Sequence, residues 1–209
     1  MKKLLSVILA LFLVSPVFGW EGKPKSGGAV KDVIERVWEG EIDLDMMHKI
    51  QNDLKWAKDE KVKVLKVTLM SPGGPVITSL EAARLVRDAS ESGLVIEIHA
   101  VGLCASGCTL VLAAGTPGKR YISKSALFLL HAVQTGGGFF SAPTCAEYKP
   151  EPKDEGERIV NALLNIMRDS YVRFTGKTPL EVEKWLSCGY EIVGSGSEAV
   201  GLGVADVLE

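Results

Sequence analysis

Hydrophobic residues along the chain follow two alternating periods, and these predict helices and strands in turn. Apolar positions between residues 43 and 57 are three or four residues apart, as on one face of a helix, and Asp43 is its predicted N-cap. Residues 61–69 (KVKVLKVTL) are rich in β-branched residues and partly alternate, which predicts a strand. The two patterns recur, and predict helices over 77–89 and 109–114 and strands over 94–100 and 126–130. This order favours the α/β class, with a parallel sheet and crossover helices.

The pattern changes after residue 130. The segment from Gln134 to Asp154 contains three consecutive glycines, three prolines and a cysteine, which predicts a long inserted loop. Periodic apolar residues return over 159–171 and predict a long amphipathic helix. Thr178, as an N-cap before Pro179, starts a short helix. A final short helix, a glycine turn and a short strand are expected over residues 195–208.

The first 19 residues are typical of a secretory signal peptide. Lys2 and Lys3 precede an apolar run over residues 4–13, and a proline and small residues follow. This run is shorter than the about 20 residues of a membrane-spanning helix, and an uncleaved anchor is the alternative. We expect cleavage after Gly19, a flexible leader over 20–30 and a single domain over 31–209. The protein would then be periplasmic or secreted.

Charge and cysteine content narrow the possible functions. The 209 residues carry a net charge of −2 with acids and bases interspersed, which does not indicate a nucleic-acid partner. Four cysteines in an exported protein make disulfides plausible, and they allow three pairings. The pairing that we favour joins Cys104 to Cys108 and Cys145 to Cys188. Because no histidines or further cysteines have metal-ligand spacing, we expect no zinc site, and we expect no cofactor.

Candidate chemistry lies at two junctions between a strand and the following helix, where sites gather in α/β sheets. Residues 71–74 (SPGG) end one strand, and paired glycines can turn backbone N–H groups towards an anionic oxygen. A plain tight turn is the simpler interpretation. Residues 104–108 (CASGC) end another strand. Ser106 would be either an ordinary N-cap or a nucleophile that benefits from the helix N-terminus.

A serine nucleophile needs a general base. His131 ends the strand predicted over 126–130 and is the best candidate. A lysine is the alternative base. The remaining histidines and two nearby lysines are expected to be structural or solvated, and these are His48, His99, Lys119 and Lys124.

Taken in order, these motifs resemble the proteolytic subunit of the Clp protease. After SPGG, the resemblance rests on CASGCTLVLAAGTPGKRYISKSALFLLH, YVRFTGKTPLEVEKWL and SGSEAVGLGVADVL, and on the 25-residue step from Ser106 to His131. It runs from about residue 37 to residue 208. It implies a ClpP/crotonase-like α/β fold, a spiral of β-β-α units with a mainly parallel sheet and a C-terminal handle helix.

The resemblance also implies roles by position. Counted back from the C-terminal motif, the family's aspartate falls on Glu191. Counted forward from residues 175–177, the register slips by one or two residues, so a Ser-His dyad stays open. The other implied roles are those of Ser106 as nucleophile, His131 as general base, and the N–H groups of Gly74 and Gly107 as oxyanion hole.

The resemblance implies a serine endopeptidase that acts on peptides or proteins through a Ser-His-(Glu) site and forms a homo-oligomer, and the signal-like residues 1–19 imply that it is exported. The family is cytosolic and is fed by an ATP-driven unfoldase, which we do not expect for an exported protein. A catalytically inactive Clp-like binding or assembly module is the alternative. A crotonase-type acyl-CoA enzyme is a third, which export and the lack of a nucleotide-binding pattern disfavour.

Overall fold

The computed structural model describes residues 32–136 and 144–209, so the predicted signal peptide and leader, and part of the insert, lie outside the described residues. The strands are β1 (Val33–Glu39), β2 (Val64–Ser71), β3 (Val95–Ala105), β4 (Arg120–Ile122), β5 (Leu127–His131), β6 (Gln134–Thr135), β7 (Thr144–Cys145), β8 (Glu191–Gly194) and β9 (Val207–Leu208). The helices are α1 (Leu44–Asp59), α2 (Val76–Glu91), α3 (Gly107–Ala114), α4 (Glu155–Thr175), α5 (Pro179–Trp185) and α6 (Gly196–Gly201).

Seven strands form one sheet, which is mainly parallel as expected. Its order is β1-β2-β3-β4-β9, with β5 beside β3 and β8 beside β5. Only the pairing of β5 with β8 is antiparallel in this sheet, as far as the structure describes the chain. The long strand β3 pairs with β4 over residues 98–100 and with β5 over residues 103–105. This split places the end of β5 beside the end of β3.

The core lies between the sheet and the helices that cross it. Every second residue of β2 is buried, which is the period expected of a strand with one covered face. Helix α3 is different, because all eight of its residues are buried. An apolar sequence of small and branched side chains suits such an enclosed helix. Burial of α3 fixes the end of β3 that leads into it.

Two helices begin with the N-cap residues that the sequence predicts. Asp43 caps α1 by accepting a hydrogen bond from the Met46 N–H at 2.9 Å. Thr178 forms a capping box with Glu181 at the start of α5. Helix α4 has 21 residues and begins before the predicted residue 159, with Asp154 as its cap. No helix in the described part of the chain is long and apolar enough to span a bilayer.

The sequence pattern missed three strands of the main sheet and both strands of the insert, and it misplaced several ends. Strand β1 alternates between exposed and covered residues, but its short VIERVWE segment carries three charges and gives a weak signal. Strands β4 and β8 have only three and four residues. Strand β3 continues through Ala105, five residues beyond the prediction, because its end pairs with β5. The insert is not only a loop, since β6 and β7 pair as antiparallel strands.

Candidate active site

Ser106 is the single residue between β3 and α3, and its backbone is strained. It has φ 54° and ψ −125°, and Lys61 is the only other non-glycine residue with positive φ in the described segments. Such conformations cost free energy and are concentrated at functional sites. The Ser106 side chain makes no capping hydrogen bond to α3. The N-cap interpretation therefore does not explain this serine, whereas a sharp strand-to-helix turn is the geometry that presents a nucleophilic hydroxyl.

The SPGG turn packs directly against the Ser106 turn. Gly73 has φ +95°, and a Cβ on it would lie 2.7 Å from Ala105 O, from Ser106 Cβ and from Gly107 N. No side chain fits in that space. On the other side, the Ser106 N–H donates to Leu129 O of β5 at 2.8 Å. The strained turn is thus held between two neighbouring elements, which supply the contacts needed to maintain it.

Two backbone N–H groups lie free beside Ser106. Neither the Gly74 N–H nor the Gly107 N–H has an acceptor among the residues that the structure describes. The position that a Cβ on Gly107 would take is 3.5 Å from Gly74 N. Both glycines line the same cleft as Ser106. Free N–H donors at the start of a helix suit a developing oxyanion.

The cleft has a volume of about 310 Å³ and also contains the imidazole of His131. It thus brings together four of the five predicted catalytic and oxyanion residues, and Glu191 does not line it. The remaining wall is largely apolar and is contributed by α2, α3, α4 and the segment after β5. Its larger apolar and aromatic members include Val76, Leu110, Val133, Met167 and Tyr171.

A backbone carbonyl orients His131. Its Nδ1 lies 2.6 Å from Ala132 O, and because a carbonyl can only accept, Nδ1 carries the proton. In a neutral imidazole this tautomer leaves Nε2 free to accept a proton. The structure contains no hydrogen bond between Ser106 Oγ and His131.

Glu191 lies directly opposite His131 in the antiparallel pair of β5 and β8. Opposed residues in such a pair project from the same face of the sheet. The Glu191 side chain is nevertheless exposed and makes no hydrogen bond to His131. In this structure the imidazole is oriented by the Ala132 carbonyl and not by a carboxylate.

The two expected cysteine pairs differ in outcome. Cys145 and Cys188 form a disulfide, with their Cα atoms 5.7 Å apart, as expected. The expected disulfide between Cys104 and Cys108 is wrong for this structure, because both are free, buried thiols. Burial, followed by the hydrogen bond and charge of Cys108, raises the pKa of Cys104 well above its usual value. Both sulfurs pack in the core, where a protonated thiol behaves as a small apolar group.

A buried chain of hydrogen bonds links Ser106, Thr109 and Tyr171, and the sequence did not predict it. Thr109 Oγ1 donates to Ser106 O at 2.7 Å and accepts from the Tyr171 hydroxyl at 2.6 Å. Burial raises the pKa of Tyr171 far above its usual value, and the hydrogen bond with Thr109 only partly opposes this. The chain ties α4 to the Ser106 turn. Its partners are 62 residues apart, so only the apolar face of α4, which includes Tyr171, hinted at the contact.

His99 is structural, as expected. Its Nδ1 lies 2.9 Å from Glu209 Oε1, its Nε2 lies 2.9 Å from Glu97 Oε1, and its ring stacks on Tyr121. Within residues 32–136 and 144–209, no group of three histidine, cysteine or acidic side chains is arranged to hold a metal ion.

Comparison with known proteins connects this fold and cleft to one family. The model of the family described as Clp protease matches residues 34–208. The chain therefore belongs to the Clp protease family, and the resemblance of its motifs is confirmed.

Two individual proteins illustrate the relationship. The chain is 28% identical, over 123 residues, to the ATP-dependent Clp protease proteolytic subunit 1 of Streptomyces coelicolor. That match covers 55% of this chain and 55% of the relative, so the chain spans about half the length of that protein. Among solved structures, the ClpP protease catalytic domain from Plasmodium falciparum is similar with a TM-score of 0.62 and 20% identity, over 85% of both chains. This likeness confirms the ClpP/crotonase-like fold.

Proposed function

We propose that this protein is a serine endopeptidase with Ser106 as nucleophile and His131 as general base. The observation that carries the proposal is the strained, uncapped conformation of Ser106 beside two free N–H groups in a cleft that holds His131. An ordinary N-cap serine has no need of this strain. Membership of the Clp protease family supports the same chemistry.

The proposed reaction follows from the placement of these groups. Ser106 Oγ attacks the carbonyl carbon of the peptide bond while His131 Nε2 takes the hydroxyl proton. The carbonyl oxygen becomes an oxyanion and accepts hydrogen bonds from the Gly74 and Gly107 N–H groups. His131 then donates the proton to the leaving amine. Water, deprotonated in the same way, hydrolyses the acyl-enzyme and restores Ser106.

The third member of the site is the finer part of the proposal. Because Ala132 O already holds Nδ1 of His131, we infer that this carbonyl supplies the main orientation of the imidazole. Glu191, opposite His131 on β8, would add weaker electrostatic support to the imidazolium. The site would then work as a Ser-His pair with an accessory acid.

A fluorophosphonate probe and a library of quenched peptides test the proposal together. The wild-type protein should be labelled at Ser106 and should cleave peptides, and Ser106→Ala should lose both activities. Ser92→Ala is the matched control, because Ser92 is exposed and its hydroxyl bonds only to Ala89 O. Folded wild-type protein that is neither labelled nor able to cleave any peptide would contradict the proposal.

A catalytically inactive binding module is the second candidate, favoured by the lack of a hydrogen bond between Ser106 Oγ and His131. On that alternative, peptides would bind in the cleft without being cleaved. Isothermal titration of the same peptides, followed by mass spectrometry of the mixture, distinguishes the two. Bound and intact peptide supports a module, whereas bound and cleaved peptide supports the peptidase.

We also propose that the peptidase is exported and works without an ATP-driven unfoldase. The signal-like composition of residues 1–19 and the Cys145–Cys188 disulfide support this, because disulfides persist in oxidising compartments. Expression of the full chain in a bacterium should yield a mature protein that begins at Trp20 and is recovered from the periplasm or medium. An intact mass that includes Met1, in the cytosol, would contradict export.

A homo-oligomer is proposed as well. One row of neighbouring residues crosses the sheet on the same face from Val37 through Thr68, His99 and Tyr121 to Val207. Val37 and Val207 at its ends are 51% and 39% exposed, so this face is open and partly apolar. Such faces commonly mark contacts with other proteins. Light scattering on the mature protein should report a mass above that of one chain, and a monomer at micromolar concentration would contradict the proposal.

A further inference from the structure

Ser79 has a hydroxyl whose burial the fold alone does not explain. The residue is 0% exposed, and its Oγ has no hydrogen-bond partner. In the described residues only one other buried side-chain atom, Arg87 Nε, is in this situation. Burying a hydroxyl without a partner is unfavourable, and alanine would fill nearly the same space without that cost. The hydroxyl therefore lacks an acceptor in the resting structure.

The position of Ser79 indicates where such an acceptor would come from. Ser79 lies in the first turns of α2 and lines the cleft that contains Ser106. The point where a Cβ on Gly107 would sit is 2.1 Å from Ser79 Oγ and 3.5 Å from Gly74 N. Ser79 Oγ thus takes the place of the side chain that Gly107 lacks. It shares one corner of the cleft with the two free N–H groups.

We propose that the Ser79 hydroxyl is a third hydrogen-bond donor to the oxyanion of the reaction at Ser106. This inference rests on the proposed peptidase function. Within the described segments, the Gly74 and Gly107 N–H groups in this corner are donors without an acceptor, and the Ser79 hydroxyl also has no partner. A carbonyl oxygen that acquires negative charge would supply that acceptor, and hydrogen bonds to a charged acceptor are stronger than neutral ones. The proton stays on Ser79 throughout.

Ser79→Ala tests the proposal, because it removes only the hydroxyl. We expect kcat for a fluorogenic peptide to fall by about 10²- to 10³-fold, the usual effect of losing one oxyanion donor. KM should change by less than about threefold, because the contact forms mainly in the transition state. Inhibition by a peptide boronate, which mimics the tetrahedral intermediate, should weaken in parallel with kcat. The melting temperature should stay equal or rise, since an unpaired polar group is lost.

Two further variants make the experiment specific. Ser90→Ala is the matched control on the same helix, because the Ser90 hydroxyl bonds to Thr116 Oγ1 and does not line the cleft. It should leave kcat and boronate inhibition unchanged. Ser79→Cys keeps a side chain of similar shape but offers only a weak S–H donor. It should therefore also lose most of kcat, and it provides a second measurement if the alanine variant does not fold.

The outcomes separate this inference from the proposed function. An active wild-type enzyme with Ser79→Ala and Ser79→Cys at wild-type kcat/KM and wild-type boronate affinity would overturn the role of Ser79 alone. A Ser79→Ala variant that loses activity only because its KM rises would also overturn it, since that would show a role in substrate binding. Folded wild-type protein that neither reacts with fluorophosphonate nor cleaves peptides would overturn both.

Discussion

Ser106 and His131 face one cleft, but the two sides of that cleft are held in place by different forces. The nucleophile half comprises residues 71–74 and 104–110, and the base half comprises residues 127–135, 144–145 and 188–194. In the nucleophile half, the end of β3 and all of α3 are buried, and the strained Ser106 is enclosed between Gly73 and Leu129 O. Close packing determines its geometry.

The base half depends on short strands and a covalent link. His131 ends β5, is partly exposed, and pairs on one side with Glu191 of the four-residue strand β8. The Cys145–Cys188 disulfide joins the β6–β7 hairpin to the turn just before β8. Phe128 and Leu130 anchor β5 in the core, but β6, β7 and β8 contain no buried residue, so hydrophobic packing contributes less to these three strands. The disulfide therefore provides part of the stability that buried side chains provide in the nucleophile half.

The two cysteine pairs illustrate the same contrast. Cys104 and Cys108 flank the nucleophile as core thiols, whereas Cys145 and Cys188 bridge two segments near the surface. A disulfide stabilises mainly by restricting the unfolded chain, and it does so more strongly the longer the loop that it closes. The fully buried cysteines are free, and the half-buried cysteines form a disulfide. Substitutions in each half of the cleft can test this contrast separately.

The largest expected effect is that of removing the base. His131→Ala should lower kcat/KM by about 10⁴- to 10⁶-fold, and the double variant with Ser106→Ala should be no worse, because the two residues act as a unit. Peptide hydrolysis under single-turnover conditions measures this. The exposed His48→Ala on α1 is the control and should be fully active. A His131→Ala enzyme with more than a tenth of wild-type activity would show that another group is the base.

Loss of the disulfide should affect stability next most strongly. Cys145→Ser with Cys188→Ser opens a link between positions 43 residues apart. It should lower the free energy of unfolding by about 2–4 kcal/mol in urea denaturation. Thiol titration is the control, and unfolded wild-type protein should show two free thiols, those of Cys104 and Cys108. An unchanged free energy of unfolding, or no thiols at all, would contradict the contrast between the pairs.

Gly107→Ala tests how tightly the nucleophile half is packed. The new methyl group would lie 2.1 Å from Ser79 Oγ and 2.7 Å from Ser79 Cβ, so α2 and α3 would have to separate slightly. We expect a loss of about 1–3 kcal/mol in unfolding free energy, as for other overpacked cores. Gly201→Ala, which adds a methyl group in open space, is the matched control and should be neutral or stabilising. Equal stability of the two variants would show that this half is loosely packed.

The smallest effect is expected for Glu191→Gln. Because Ala132 O orients His131, the variant should keep kcat/KM within about tenfold of wild type, or about 1.4 kcal/mol of transition-state energy. Hydrolysis rates measured from pH 5 to pH 9 provide the test. A loss of about 10⁴-fold, which is typical of the buried acid of a full triad, would instead make Glu191 the third catalytic member.

Much of this architecture could be predicted because it is encoded in short-range patterns. The period of apolar residues predicts α1, α2 and β2 to within a few residues, and Asp43 and Thr178 mark the starts of α1 and α5 through their own side chains. The order of the motifs predicts the family without any knowledge of the fold. Short strands with charged residues, such as β1 and β8, were not predicted, because they are defined by pairing with strands elsewhere in the chain.

The chain order of apolar and polar residues thus predicted the fold class, and the resemblance of the motifs predicted the family and the roles of Ser106 and His131. Only the folded chain decided that Ser106 is strained and uncapped, that Cys104 and Cys108 are free thiols, and that Ala132 O orients His131. It also revealed the unpaired hydroxyl of Ser79. The physical reason is the sequence separation of the interacting groups, because periodicity and helix capping depend on residues that are close in sequence. Burial, strain and missing hydrogen-bond partners depend on which distant segments meet.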